Sequence, residues 1–277
     1  MPTSLSTRPA GRPLTASGLG RTVDAASLQD VPAVAAAVRG AALGSGLALV
    51  RDLRLTEQDF RTLVHHLGHT VDNHYRSGGS DLLRLEGRTD PGAVINGRGA
   101  LPLHTDGLLL GQQVDLIVLY AADVRGADAA DGTLVCDQLS AWRDLPEDLR
   151  TVLEGREFQY RGRDSSHFPD DVRDGWVTVP VHRDYGRVRS LNITLPFADD
   201  AEAGWEVRVN GLDEPTTEAF FADLGRWLHA PEYCYTHHWR TGDLLVIDNQ
   251  QTLHGRTTLA DARTRVLFRG QVVLRPS

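Results

Sequence analysis

From about residue 82 onward the chain consists of short β-forming runs, each cut off by Gly, Pro or Asp: Leu82–Leu85, Leu101–Thr105, Val114–Tyr120, Thr133–Cys136, Trp176–His182, Val188–Thr194, Trp205–Val209, Tyr233–Trp239, Leu244–Ile247 and Arg265–Leu274. Few helices interrupt this pattern. Asp30–Ala42 carries Val34, Val38 and Ala41 at helical spacing. A second stripe of Phe60, Leu63, Val64 and Leu67 follows the N-cap candidate Thr56 and stops at Gly68. Pro215–Leu228 puts Phe220, Leu224, Trp227 and Leu228 on one face, as a helix packed outside a sheet would. Many short strands with outer helices predict a mostly β chain with flanking helices (α+β), built as a sandwich or jelly roll.

The 277 residues carry no low-complexity linker, so a single domain over residues 23–277 is expected, preceded by a flexible tail over 1–22. That tail lacks the apolar stretch of a secretory signal. No run approaches the roughly 20 apolar residues that span a bilayer, since Asp115 and Asp123 interrupt even Val114–Val124. Two long, polar, Gly-rich segments, Tyr75–Ala100 and Arg161–Gly175, are either active-site covers or plain surface loops.

Composition narrows the chemistry. Every basic residue is arginine, which removes the lysine that Schiff-base, pyridoxal-phosphate and Walker-type enzymes need. Neither G-x-S-x-G nor G-x-G-x-x-G occurs. A net charge of −8 opposes a phosphate backbone, so the expected partner is a small molecule rather than nucleic acid or a membrane; homo-oligomerisation stays open. Two cysteines, Cys136 and Cys234, are too few for a disulfide framework and lack metal-site spacing, which suits the cytoplasm.

Metal chemistry remains. His104 and Asp106 in Leu-Pro-Leu-His-Thr-Asp-Gly lie two apart, hence on one face if the strand continues. Such a triplet is weak alone, and a second occurs at His182 and Asp184. His254, just past the buried run Asp-Leu-Leu-Val-Ile-Asp-Asn, completes a set of two imidazoles and one carboxylate that leaves three positions of an octahedral iron open. Enough strands lie between His104 and His254 to close a double-stranded roll, and too few between His182 and His254, so His182 is expected to be structural. An iron centre of this kind needs an electron source, which a 2-oxo acid supplies if a cation holds its far carboxylate. Arginine suits that role because its planar fork pairs with a carboxylate and keeps its charge. Arg265 lies eleven residues after His254, and Arg269, four further on, faces the same way on a regular strand. Either arginine could instead sit at the surface of an edge strand, as Arg263 and Arg275 are expected to.

These motifs resemble the taurine dioxygenase-like (TauD/TfdA) family of Fe(II)/2-oxoglutarate-dependent oxygenases over roughly residues 45–275. The resemblance implies a double-stranded β-helix (jelly-roll, cupin-like) core. It implies Fe(II) on His104, Asp106 and His254, with 2-oxoglutarate as cosubstrate and O2 as oxidant. By the same resemblance Thr133, after Asp131-Gly132 where the family usually has two glycines, would join Arg265 at the far carboxylate of 2-oxoglutarate. Arg269 would meet an acidic group of the substrate. The implied outcome is hydroxylation, desaturation or oxidative decarboxylation of the substrate, coupled to conversion of 2-oxoglutarate to succinate and carbon dioxide. Asp106 stands where related halogenases have a small residue, which argues against halogenation. The wording Leu-Pro-Leu-His-Thr-Asp-Gly-Leu-Leu-Leu-Gly and Trp-Arg-Thr-Gly-Asp-Leu-Leu-Val-Ile-Asp-Asn is similar to the branch in secondary metabolism, where some members act on amino-acid-derived isonitriles. His74 and Tyr75 are candidate pocket residues. Two rivals stand beside this reading: a cupin-like divalent-metal isomerase or hydrolase using the same ligands, and a non-catalytic jelly-roll binding protein.

Overall fold

A computed structural model describes residues 12–26, 28, 30–71, 81–86, 94, 97–126, 132–164, 167–198, 203–259 and 264–274. The first part of the chain gives β1 (Arg21–Thr22), α1 (Val31–Ser45), β2 (Leu47–Val50), α2 (Glu57–Leu67), β3 (His69–Thr70), β4 (Leu82–Leu85), β5 (Leu101–His104) and β6 (Leu116–Arg125). The middle adds β7 (Thr133–Asp137), α3 (Gln138–Arg143), α4 (Glu147–Gly155), β8 (Phe158–Gly162), α5 (Asp170–Arg173), β9 (Val177–Val179), β10 (His182–Asp184), β11 (Arg189–Leu191) and β12 (Trp205–Val209). The last part supplies α6 (Glu214–Leu228), β13 (Cys234–His237), β14 (Leu244–Asp248), β15 (Thr252–Arg256) and β16 (Thr264–Val273).

Two sheets carry the architecture. The larger runs β1-β2-β14-β6-β16-β3, with β4 also on β16; the smaller runs β13-β7-β15-β5. Their neighbours are antiparallel except for β1 and β2. Strand β14 shows why: all five of its residues are buried, because both of its faces are covered. Leu244 and Val246 point at α1 and α2, packing with Val38, Phe60, Leu63 and Val64. Leu245 and Ile247 point the other way, to an inter-sheet core shared with Ile117, Leu119, Val135 and Trp239. The outer face of the small sheet, through Leu103, Cys136 and Leu253, packs on α3, α4, α6 and the separate sheet β12-β8-β9. The chain is thus mostly β with helices on both outer faces.

The helices begin where their caps predict. Asp30 accepts the Ala33 N–H at 2.8 Å, and Thr56 and Asp59 form a reciprocal capping box at the start of α2. The structure also departs from the sequence reading. Helices α3, α4 and α5 lie where only loops and strands were expected; α3 is a single capped piece, with Asp137 accepting the Ser140 N–H at 3.1 Å. The expected tail does not extend to residue 22. Leu19 is buried, the Gly20 N–H donates to the Ser45 carbonyl, and β1 joins the large sheet. The two cysteines are free strand residues placed opposite each other on β7 and β13. Among the described residues no helix is long and apolar enough to cross a membrane.

Candidate active site

Strands β5 and β15 are antiparallel neighbours, and His104 and His254 are direct cross-strand partners with ring centroids 4.2 Å apart. The register shifts after His254, at Gly255, where a Cβ would lie 2.6 Å from the Leu101 carbonyl oxygen, so only glycine allows this approach. Both histidines therefore sit on strands; His254 lies in the middle of β15 rather than just past a strand. The His104 Nδ1 donates to the Pro102 carbonyl at 2.8 Å, which fixes the tautomer and leaves the Nε2 lone pair facing Asp106.

Asp106 arrives differently from the expectation that it shares a strand face with His104. Strand β5 ends at His104, and a turn delivers Asp106. Gly107 makes that turn with φ +83°, and a Cβ there would lie 2.1 Å from the Gln112 carbonyl oxygen. The turn is pinned by Asn249, which is fully buried between β14 and β15. Its Oδ1 accepts the Asp106 N–H at 3.0 Å, and its Nδ2 donates to the carbonyls of Asp106 at 3.2 Å and Val114 at 2.8 Å.

The Asp106 carboxylate has two distinct oxygens. Oδ1 lies 3.4 Å from His104 Nε2 and 3.6 Å from His254 Nε2. Oδ2 accepts from Arg269 and, at 2.6 Å, from Gln271. One ligand atom from each of His104, Asp106 and His254 lies within 4.8 Å of the others, a donor set and spacing that fit a divalent ion. Burial works against ionisation of Asp106, but the Arg269 charge, with His254 and His104 behind it, holds the carboxyl well below its usual range. Burial pushes His254 down to about 3, with His104 and Arg269 adding to the effect. A charged carboxylate and a neutral imidazole are the forms that ligate metal. Asn249→Ala leaves the Asp106 N–H and two carbonyls without their partner. We expect it to weaken Mn(II) affinity by roughly 10- to 100-fold, read by calorimetry.

A cavity opens over these three side chains, and Thr133, Arg265 and Arg269 line it too. Thr133 comes from β7 of the small sheet and accepts a hydrogen bond from Trp239 Nε1 at 2.9 Å; Arg265 comes from β16 of the large sheet. The irregularity between β16 and β6 is absorbed by β6, whose Ala122 is skipped in the pairing. β16 stays regular, so Arg265, Leu267, Arg269 and Gln271 share its inward face, which excludes the exposed-edge alternative for both arginines. His74, Tyr75, Arg263 and Arg275 lie outside the described residues. Of Arg161–Gly175, part belongs to β8 and α5, while Asp164, His167 and Phe168 border the cavity. His182 packs edge-on against Trp142, with centroids 4.5 Å apart, and does not line the cavity. Sequence reasoning missed Asn249, Gln271, Arg256, His167 and Trp205. Gln271 and Arg256 were findable by counting in twos from Arg269 and His254; Trp205, whose ring is 5.5 Å from that of His104, was not.

Two imidazoles and one anchored carboxylate beneath a cavity with buried arginines are a donor set that fits a mononuclear non-haem metal ion. Residues 6–271 match the family described as taurine catabolism dioxygenase TauD, TfdA family, and the chain belongs to it. It is an oxidoreductase of the Fe(II)/2-oxoglutarate-dependent dioxygenase class. It is 22% identical over 194 residues to 3-((Z)-2-isocyanoethenyl)-1H-indole synthase of Fischerella ambigua, covering 69% of this chain and 70% of that one. It is 26% identical over 199 residues to tyrosine isonitrile desaturase of Pseudomonas aeruginosa, covering 71% of this chain and 66% of that one. Among solved structures, PvcB from Pseudomonas aeruginosa superimposes with a TM-score of 0.70 at 21% identity, covering 98% of this chain and 94% of that one. AAD-2 in complex with Mn(II) and N-oxalylglycine gives 0.68 at 18%, covering 96% and 98%.

Proposed function

We propose that this chain desaturates a small amino-acid-derived isonitrile bearing a carboxylate, on a double-stranded β-helix core formed by the two facing sheets within one domain that includes β1. The observation that carries the chemistry is the convergence of His104, Asp106 and His254 within 4.8 Å beneath a cavity that Thr133 and Arg265 also line. The substrate class is supported by two relatives named for isonitrile chemistry that forms a carbon–carbon double bond. Free thiols at Cys136 and Cys234 suit a reducing compartment.

His104, Asp106 and His254 would hold Fe(II). Bound iron supplies the oxidising power to remove substrate hydrogen, drawn from O2 and the decarboxylation of 2-oxoglutarate. Arg265 and Thr133 would bind the far carboxylate of 2-oxoglutarate, Arg265 with two parallel charge-assisted hydrogen bonds. Arg269 and Gln271 orient Asp106, so that Oδ1 faces the metal position. Leu119, Trp205 and Phe168 among the wall residues make the cavity apolar and keep water from the reacting carbon. A hydrolase or isomerase with the same ligands has no use for a second buried carboxylate clamp, and family membership favours the oxygenase over a binding protein.

The test is anaerobic. Fe(II) followed by 2-oxoglutarate, added to metal-free protein, should produce the weak visible charge-transfer band of an iron-bound keto acid, and His104→Ala should lose it. Iron binding without the band would return the chain to the hydrolase or binding-protein alternatives. With the isonitrile of tyrosine present, succinate release should accelerate and the unsaturated product appear; turnover that ignores this compound would reject the substrate class.

A further inference from the structure

The turn that follows β8 brings a side chain into the cavity that no family motif assigns. Gly162 ends β8, and a Cβ there would lie 2.5 Å from the Phe168 ring; the ring packs directly on that backbone and is buried. The N–H groups of His167 and Phe168 both donate to the Asp164 carbonyl, at 3.0 and 2.9 Å, which closes a tight turn. With Phe168 locked on Gly162, His167 is carried to the wall of the cavity that holds His104, Asp106 and His254. Among the described residues its imidazole makes no hydrogen bond; its ring contact is edge-on with Phe168, at 4.7 Å.

We propose that His167 is a specificity-determining residue that donates a hydrogen bond to the carboxylate of the substrate, held between it and Arg269. The inference rests on the isonitrile-carboxylate reading above and adds the residue that recognises the acid. Three observations converge on it. The imidazole sits in a largely apolar pocket without a protein partner, where a polar group gains most from a ligand. Arg269, on the inward face of β16, has Nη2 engaged by Asp106 and lines the same cavity as His167. Burial, and after it Arg269, press the His167 pKa down to about 4, so at neutral pH the ring is uncharged and keeps one N–H to donate. A hydrogen bond from this donor to a carboxylate is charge-assisted and stronger than one to an ester carbonyl, so it favours the acid over its ester, which a plain apolar wall would not.

The experiment uses the full chain loaded with Mn(II) and N-oxalylglycine, titrated calorimetrically with the isonitrile of tyrosine and with its methyl ester. Wild type should bind the acid at least roughly tenfold more tightly than the ester. His167→Leu should lose about tenfold for the acid and clearly less for the ester, as expected for one hydrogen bond that is charge-assisted only with the acid. His167→Asn, which keeps a donor, should restore most of the acid preference. Undiminished acid binding in His167→Leu would overturn the proposal, and so would a parallel loss for acid and ester, which marks a structural role. If wild type binds N-oxalylglycine but neither probe, the proposal falls with the substrate class while the metal and cosubstrate reading stands. Failure to bind N-oxalylglycine would sink that reading itself.

Discussion

Replacing His254 with Ala should give a folded protein that no longer retains iron and consumes no 2-oxoglutarate. The fold survives because of what His254 contributes without metal. It is a neutral buried ring whose Nδ1 finds no hydrogen-bond partner among the described residues, so its removal also removes an unsatisfied polar atom. The strand pairing around it uses backbone groups that Ala keeps. Metal binding suffers far more. Outer partners of metal ligands already cost roughly 10- to 100-fold in affinity when lost, and a direct ligand costs more. With only His104 and Asp106 left, nothing fixes the third position of the triad, and Asp106 Oδ1 faces a gap 3.6 Å away where Nε2 stood. Thermal unfolding with and without Mn(II) separates the two effects. The metal-free variant should melt close to wild type, while the rise in Tm on adding metal should vanish. Iron-dependent 2-oxoglutarate consumption that persists in His254→Ala would remove this residue from the metal site.

The parts of this site that the sequence displays are those with fixed spacing. His104 and Asp106 lie two apart in the chain, close enough to reach one site although β5 ends at His104 and a turn carries Asp106. Arg265 and Arg269 share an inward face because β16 is regular, so period-two counting finds the arginines. The buried run before His254 points to it, yet its own strand is hidden, since His254 and Arg256 turn polar side chains toward the cavity and Thr252 is a buried polar residue bonded to the Asp248 carbonyl, which inverts the usual alternation. What stayed hidden depends on contacts distant in sequence. Asn249 reaches Asp106 across 143 residues, and Trp205 comes from the outer three-stranded sheet to stand beside His104. The short helices α3 to α5 were invisible because their apolar residues are too few to build a stripe; only Leu149 and Leu153 of α4 are buried. The carboxylate of Asp106 shows the functional side of this limit. By position Arg269 belongs with the substrate, but the structure also sets it on Asp106 Oδ2 beside Gln271, so it orients the candidate metal-binding carboxylate as well.

Arg265→Ala should leave metal binding intact and raise the 2-oxoglutarate requirement by roughly 100-fold. Arg265 is 4% exposed and projects into the cavity from β16, while its neighbour in that space, Arg256, is held by the carbonyls of Gly99 and Val94. Burial, and then Arg265 itself, depress the pKa of Arg256, so the two like charges oppose one another across the cavity. A dianion entering between them relieves that repulsion. Two parallel charge-assisted hydrogen bonds from one guanidinium are worth about 3 kcal/mol or more, which is the stated loss in affinity. Arg269 cannot take over, because its Nη2 is engaged by Asp106 and the rest of its guanidinium is assigned above to the substrate acid. The variant should therefore separate two properties that His254→Ala abolishes together. Mn(II) should still raise its Tm as in wild type, whereas the further rise on adding N-oxalylglycine should need about 100-fold more of it. Turnover at saturating 2-oxoglutarate should recover a large part of the wild-type rate, since the clamp lies at the end of the cosubstrate away from the reacting bond. An unchanged apparent affinity for 2-oxoglutarate would move the clamp to Arg256, the other buried guanidinium in the cavity, and would leave Thr133 without a partner for its part in it.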